Sequence, residues 1–476
     1  MASDITGTGS LASGAPEGTG TVQVIPGEIA ARIDRLPLSW VQWELALLTQ
    51  VAWAIILSTD GIARTLYPFI WQPAHLVTSF QYSVIYAFQV GIGILIGDYV
   101  MGWLADKIGR RPVMLLSAAL GGVFIWTFGY VTNYPLLVLL SIFVGLGIGG
   151  ILATNVVYMT EMSAPAVRGK MTLGAQVLAI FLFEVILVGL IPHYMIPGDY
   201  RAYLFLLAGL QIFVLLPLLA WRLPESPRWL ESEGRIEEAR RLVEKMEARV
   251  RKRHPVLPEP DLSPHEVVTA AEHQGIFAVF QGQYKWRTLF LLLVWVCGYG
   301  GIVYGVGAYG YVFLTDRGYG PGFVFALTAW SGVVASAMLA LNAVIGERIE
   351  RRTAILAGAI LFAACWFALY NVHSTPIVVV LYMASNVGTV LWLWNMYVYT
   401  PNVFPTRMRS LGTGWSDGLG HIGAWGGVII AGAIFTAASP LGWILLITLP
   451  GALLPGGLIG AFGLKQRRAV LEKLSR

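Results

Sequence analysis

The stretch GWLADKIGRR, residues 102–111, sets four charged side chains, Asp106, Lys107, Arg110 and Arg111, between two long apolar runs. The run before it, Phe80 to Ala105, and the run after it, Val113 to about Val131, each have the length of a helix that crosses a bilayer, roughly 20 residues. The charged loop therefore lies at a membrane–water boundary. Its excess of positive charge predicts that this boundary faces the cytoplasm.

Composition carries the same reading through the whole chain. With 476 residues, 56% of them hydrophobic and 12% charged, it is too apolar for a soluble enzyme. The formal charge of +5 would suggest an anionic partner in a soluble protein, but here placement matters more than the sum. Of the 32 lysines and arginines, all but Arg64, Arg201 and Arg317 fall in the tails or in alternate loops. This puts both termini in the cytoplasm and gives no reason to expect nucleic acid. Cys297 and Cys365 both lie in apolar segments, so neither a disulfide framework nor a metal site is expected. A nucleophile–base pair, a metal-ligand cluster and a soluble catalytic domain are all lacking, which argues against an enzyme and leaves no cofactor to expect.

In chain order, residues 1 to about 22 are rich in Gly, Ser, Thr and Ala and predict a disordered stretch, with 1–42 as a largely disordered cytoplasmic tail. The first apolar run begins past residue 40 and is too long for a signal-peptide core, so it is read as a membrane anchor. Apolar segments follow at roughly 44–72, 80–105, 112–132, 135–162, 170–196 and 202–221, a six-helix unit over 43–221. A charged, proline-bearing linker spans 222–286. Within it Ile236, Ala239, Leu242, Val243, Met246 and Val250 share one helical face, which reads as a packed linker helix or, more sharply, as an interfacial membrane anchor. Six more segments, at roughly 287–314, 322–345, 353–372, 375–402, 410–437 and 440–463, form a second unit over 287–463, before a basic tail at 464–476.

The two units repeat. At one offset of 241 residues, Asp106, Ile108, Arg110 and Arg111 fall on Glu347, Ile349, Arg351 and Arg352, while Glu161 and Arg168 fall on Asn402 and Arg409. The expected fold is thus an all-α membrane protein of twelve transmembrane helices in two pseudo-symmetric six-helix bundles. Transporters built from repeats bind their solute between them, near the bilayer midplane.

Gly102, Leu104, Asp106, Gly109, Arg110 and Arg111 resemble the loop signature of the major facilitator superfamily of secondary transporters. Pro224 to Leu230, PESPRWL, is similar to a motif shared by sugar porters, organic-ion transporters and bacterial relatives. FPTRMRSLGTGW, Phe404 to Trp415, resembles the matching loop of bacterial proton-coupled aromatic-acid and nicotinate-type carriers. The chain departs from these patterns at Asn402, where a glutamate is common, and at Ser141 and His421, where arginines often stand. Gln176 matches sugar porters, but the paired glutamines of their seventh span are absent, which disfavours a hexose.

The resemblance implies a cytoplasmic gate of ion pairs among Asp106, Arg110, Arg111, Glu161, Arg168, Glu225 and Arg228, with Glu347, Arg351, Arg352 and Arg409 in the second half. Ionisable residues inside spans are costly and mark candidate sites. Asp60 and Arg64 lie one turn apart on the first span. Glu184 stands near the centre of the fifth with no basic neighbour in sequence. Asp417 and His421 share a face of the eleventh span and form a candidate titrating pair, and Asp98 lies nearer the gate than the cavity. Gln176, Tyr304, Trp392 and Asn395 are the remaining cavity candidates, the last two on one face with Tyr399.

The favoured expectation is a monomer in a bacterial cytoplasmic membrane that imports a small aromatic or heterocyclic metabolite with protons. A facilitative sugar or polyol carrier, an organic-cation or drug:proton antiporter, and a receptor that binds solute without moving it remain open.

Overall fold

Among the described residues, eleven helices are long and apolar enough to cross a membrane. The first six spans are Trp40–Gly61, Ser79–Ile108, Arg110–Phe128, Tyr134–Glu161, Gly174–Met195 and Tyr200–Arg222. The seventh to tenth are Tyr284–Val306, Pro321–Ile345, Arg351–Asn371 and Thr375–Asn402, and Leu445–Phe462 closes the second bundle. Between the last two, the eleventh span is a broken run of Arg409–Thr413, Gly414–Gly418 and His421–Ala438. The computed structural model describes residues 27–465 apart from 72–73, 75, 196–198, 263–276, 283, 347, 405–408 and 439–441. It gives backbone only at 62–67, 165–170, 172–173, 307–308, 409–410, 435–438 and 442–444.

Large apolar side chains such as Trp103, Phe213, Trp221, Trp330 and Phe367 stand exposed around the bundle, as they must where the solvent is hydrocarbon. The repeat read from charged loops extends to the helix ends. The third and ninth spans start at Arg110 and Arg351, the fourth and tenth start at Tyr134 and Thr375 and end at Glu161 and Asn402, each pair 241 residues apart. The fourth and tenth spans also open with a proline in the first turn, where a missing N–H costs nothing.

Small residues set how closely the helices cross. A Cβ at Gly93 or Gly97 of the second span would lie 2.6 or 2.7 Å from the carbonyl of Ile142 or Leu146 of the fourth, so the GLGIGG run is a packing surface. The bundles meet where the second span lies along the eleventh and the fifth along the eighth. Three stretches of these spans wind as π-helix, Phe88–Gly93, Phe181–Leu190 and Gly414–Gly418, and so does Tyr299–Val303 of the seventh span, which packs on the eleventh and twelfth inside the second bundle.

The end of the molecule bearing Asp106–Arg111 and the linker is called the charged end here. Residues 28–34, part of the stretch expected to be a disordered tail, form a helix there, Glu28–Asp34. Its Ile29 and Ile33 pack against Trp229, Leu230, Ala239 and Val243 of the linker helices Pro227–Ser232 and Ile236–Arg251. The apolar face of the longer linker helix is therefore covered by protein, as in the packed-linker reading, which sets aside the interfacial-anchor alternative. The expected disorder of residues 1–22 lies outside the described residues.

Candidate functional site

The charged end is tied together around Arg110. Its guanidinium reaches Glu161 through Nε at 3.1 Å and Nη2 at 2.9 Å, Asp106 at 3.1 Å, and the carbonyl of Ala105 at 2.8 Å. Glu225 accepts from the backbone N–H of Arg110 at 3.0 Å and of Arg111 at 3.3 Å, capping the start of the third span where the helix dipole favours a negative charge. Burial pushes the Glu225 carboxyl up, offset only in part by the backbone donors of Ser226, Arg110 and Arg111. The cap requires Gly109, whose φ of 104° turns the chain between two helices and whose missing side chain leaves room for the carboxylate. Arg111 donates to Ala220 O at 2.5 Å, and Arg228 donates to Glu161 O at 3.0 Å and pairs with Asp34.

These contacts join groups of the first half, the linker and the N-terminal helix to one another. In the second half Arg352 donates to Gly463 O at 3.4 Å and Arg351 is half-buried. Glu347 and the side chains of Arg64, Arg168 and Arg409 lie outside the described residues.

Midway between the bundles is a cavity of about 180 Å³. Asp60 and Glu184 both line it, with Trp53 and Phe183 from the first half and Tyr299, Tyr304, Trp394 and Tyr397 from the second. Ser385, Asn386 and Thr389 of the tenth span add a polar strip. Glu184 is carried there by the π-helical stretch of the fifth span, which lies so close to the eighth that a Cβ at Gly332 would stand 2.6 Å from Glu184 Cβ.

Three expected cavity residues are placed elsewhere. Trp392 is fully buried against Gly298 and packs edge-on to Trp295, 5.6 Å between rings. Asn395 donates to Leu391 O at 2.8 Å and to Asn342 of the eighth span at 3.4 Å, a link inside the second bundle. The tenth span is rotated so that Trp394 and Tyr397 face the cavity. Gln176 is buried but is not among the cavity-lining residues.

Asp417 and His421 sit one layer behind the cavity wall. Tyr299 donates its hydroxyl to Asp417 at 2.5 Å and accepts from Tyr397 at 2.9 Å, and the Tyr304 hydroxyl is 3.4 Å from His421 Nε2. Asp98 of the second span, which sequence reading set apart from the site, lies 3.9 Å from His421 Nδ1. The tyrosine pair and the Asp98 contact were not foreseen, because each depends on helices from different parts of the chain meeting at one depth.

At the end opposite the charged one, the halves are pinned together by several contacts. The hydroxyls of Ser83 and Tyr309 meet, His193 Nδ1 lies 3.0 Å from Gly322 O, and Phe69 packs on Phe325 at 5.0 Å. Two pseudo-symmetric bundles with a solute-sized cavity between them, closed on one side, form the frame of an alternating-access carrier.

Comparison with known proteins agrees. A family model described as "Sugar (and other) transporter" matches residues 63–447. The chain belongs to this family of transporters, a branch of the major facilitator superfamily. Among curated relatives, the transporter is 29% identical over 402 residues to the inner membrane metabolite transport protein YgcS of Escherichia coli, covering 83% of this chain and 85% of that one. It is 26% identical over 413 residues to the niacin transporter NiaP of Acinetobacter baylyi, covering 83% and 88%. The inward-open structure of the xylose transporter XylE from E. coli superposes with a TM-score of 0.65 at 17% identity, over 91% of this chain and 98% of that one, a likeness of fold. The transporter is a multi-pass membrane protein that moves small metabolites, and it is not an enzyme.

Proposed function

We infer that this transporter imports a small aromatic or heterocyclic metabolite together with protons. The observation that carries this reading is the cavity itself, in which flat aromatic faces from both halves surround two carboxylates and a strip of hydroxyl and amide groups. Aromatic walls favour a flat ring by stacking, and a few convergent polar groups set its orientation. The similarity to a niacin transporter supports the same class of solute.

The excess of lysine and arginine at the charged end supports placing that end, and with it the termini, in the cytoplasm. On that assignment the sealed end is the outer one. The network around Arg110 and Glu161 then braces the first half against the linker on the cytoplasmic side, and the gate closes when Arg409 and its second-half neighbours are brought to that brace.

A second reading, exchange of an organic cation for protons, is favoured by the two carboxylates, Asp60 and Glu184, that line the cavity. Uptake into proteoliposomes of a panel of aromatic acids, heterocycles, sugars and amines, with and without an inward proton gradient, tests both. Gradient-driven accumulation of a ring compound, lost in Trp394→Ala, is the expected result. Accumulation of an amine under the opposite gradient would establish the antiport reading instead, and gradient-indifferent equilibration of a sugar would overturn both.

A further inference from the structure

The second and eleventh spans, which belong to different halves, bring three ionisable groups to one place. Asp98 comes from the second span, and Asp417 and His421 come from the eleventh, where the π-helical stretch Gly414–Gly418 carries Asp417. His421 is 2% exposed and Asp98 keeps 18% of its side-chain surface. His421 Nδ1 lies 3.3 Å from Gly418 O and 3.9 Å from Asp98 Oδ2, close enough for an ion pair to form when the ring is charged.

Further groups face this cluster from the neighbouring spans. The second span adds Tyr99, whose hydroxyl donates to Gly414 O at 3.0 Å, and the seventh adds Tyr299 and Tyr304. The tenth adds Tyr397, and the fourth turns Gly149 toward the Asp98 backbone.

Two carboxylates and a neutral imidazole would hold two negative charges in a membrane-embedded crevice, an expensive arrangement that a bound proton relieves. With the proton on His421, Asp98 gains a partner from the other half, and the second and eleventh spans are drawn together toward the charged end. Without it, like charges on the two spans push them apart. The cluster also communicates with the cavity, because Tyr299 and Tyr304 each line the cavity and each reach one of the titrating groups.

We propose that Asp98, Asp417 and His421 form a proton-binding site shared between the two halves, whose occupancy closes the second span on the eleventh at the charged end. This rests on the proton-coupled reading above and locates the proton behind the cavity wall, leaving Asp60 and Glu184 to the solute.

The test measures the distance between the two spans directly and needs no substrate. Spin labels are placed at Lys107→Cys, which is exposed, and Gly414→Cys, where a side chain enters open space, in a Cys297→Ala, Cys365→Ala background in nanodiscs. Between about pH 5 and about pH 8.5 the ratio of short to long distances should fall about tenfold for each unit by which the closed state binds the proton more tightly. Asp98→Asn and His421→Gln should abolish that response. Asp98→Glu, which keeps the carboxylate, should retain it and show that the loss is not misfolding.

A distance ratio that ignores pH in the parent, or responds equally in both variants, overturns the site even if uptake is gradient-driven. A pH response lost in the variants, with flux indifferent to the gradient, upholds the site and refutes the coupled-transport reading instead.

Discussion

Replacing Glu247 by glutamine should free the N-terminal helix. Glu247 is only 5% exposed at its side chain and receives Arg32 at 2.9 and 3.0 Å and Arg35 at 2.7 Å, both arginines 13% exposed. Glutamine fills the same space but carries no charge, which takes from Arg35 its carboxylate partner and leaves Arg32 only its longer contact with Glu28, at 3.5 Å. Breaking a buried pair costs about 3–5 kcal/mol, and the residual exposure of the arginines argues for about 3. Hydrogen exchange at the backbone amides of Ala31, Arg35 and Leu36 reports the opening of this helix, and about 3 kcal/mol is roughly a hundredfold faster exchange. Burial raises the Glu247 carboxyl, but the hydrogen bonds from Arg32 and Arg35 outweigh it and hold the group below its ordinary value of 4.5. The clasp is therefore at full strength above that value and is lost as pH falls through the lowered one, so protection of these amides relative to their intrinsic exchange rate at each pH should fall in the parent on acidification, while in the variant it shows little further change. Exchange in the variant within about threefold of the parent would refute this account of the clasp.

Gly109→Ala should lower the melting temperature and reduce folded yield, by about 2 kcal/mol, because it forces a positive φ on a side chain that would lie 2.2 Å from Glu225 Oε2; the thermal unfolding of purified protein checks it. Trp392→Ala should cost about 3–5 kcal/mol of stability. Trp394→Ala should leave stability nearly unchanged and weaken solute binding, a contrast visible by comparing melting temperature with KM. Asp60→Asn and Glu184→Gln should raise KM for the transported solute while leaving the pH response of the distance between the second and eleventh spans intact, which spin-label measurements on the same variants would show.

Much of the architecture was legible because hydropathy and charge are local properties. A span needs only its own run of apolar residues, and loop charge needs only counting, so the bundles, the linker and the 241-residue repeat all lie on the surface of the sequence. The facing of each span was less so. The tenth span carries aromatic side chains on more than one face, and Trp392 and Trp394 differ by only two positions, so nothing local says which one looks into the cavity. The π-helical turns hide in the same way, since one extra residue per turn rotates every side chain beyond it relative to an α-helical reading. That rotation acts on the stretches that carry Glu184, Tyr299 and Asp417. The helix at Glu28–Asp34 has 7 residues, too few for periodicity to stand out, and its order comes from partners about 200 residues away.

Glu161 and Arg110 illustrate a middle case. Both stood among the expected gate residues without assigned partners, and the structure pairs them with each other, with Asp106 and, through Glu161 O, with Arg228, all on the first half or the linker. A brace within the first half and the linker would persist through a rocking of the halves, whereas Asp98 and His421 sit on different halves.

The most direct test of coupled transport is the pH inside weakly buffered proteoliposomes, followed with a trapped fluorescent indicator as a candidate solute is added outside with no gradient imposed. If solute and protons cross together, the interior acidifies in step with solute entry, and the acidification disappears in His421→Gln. Solute that equilibrates across the membrane while the interior pH stays constant would contradict the account.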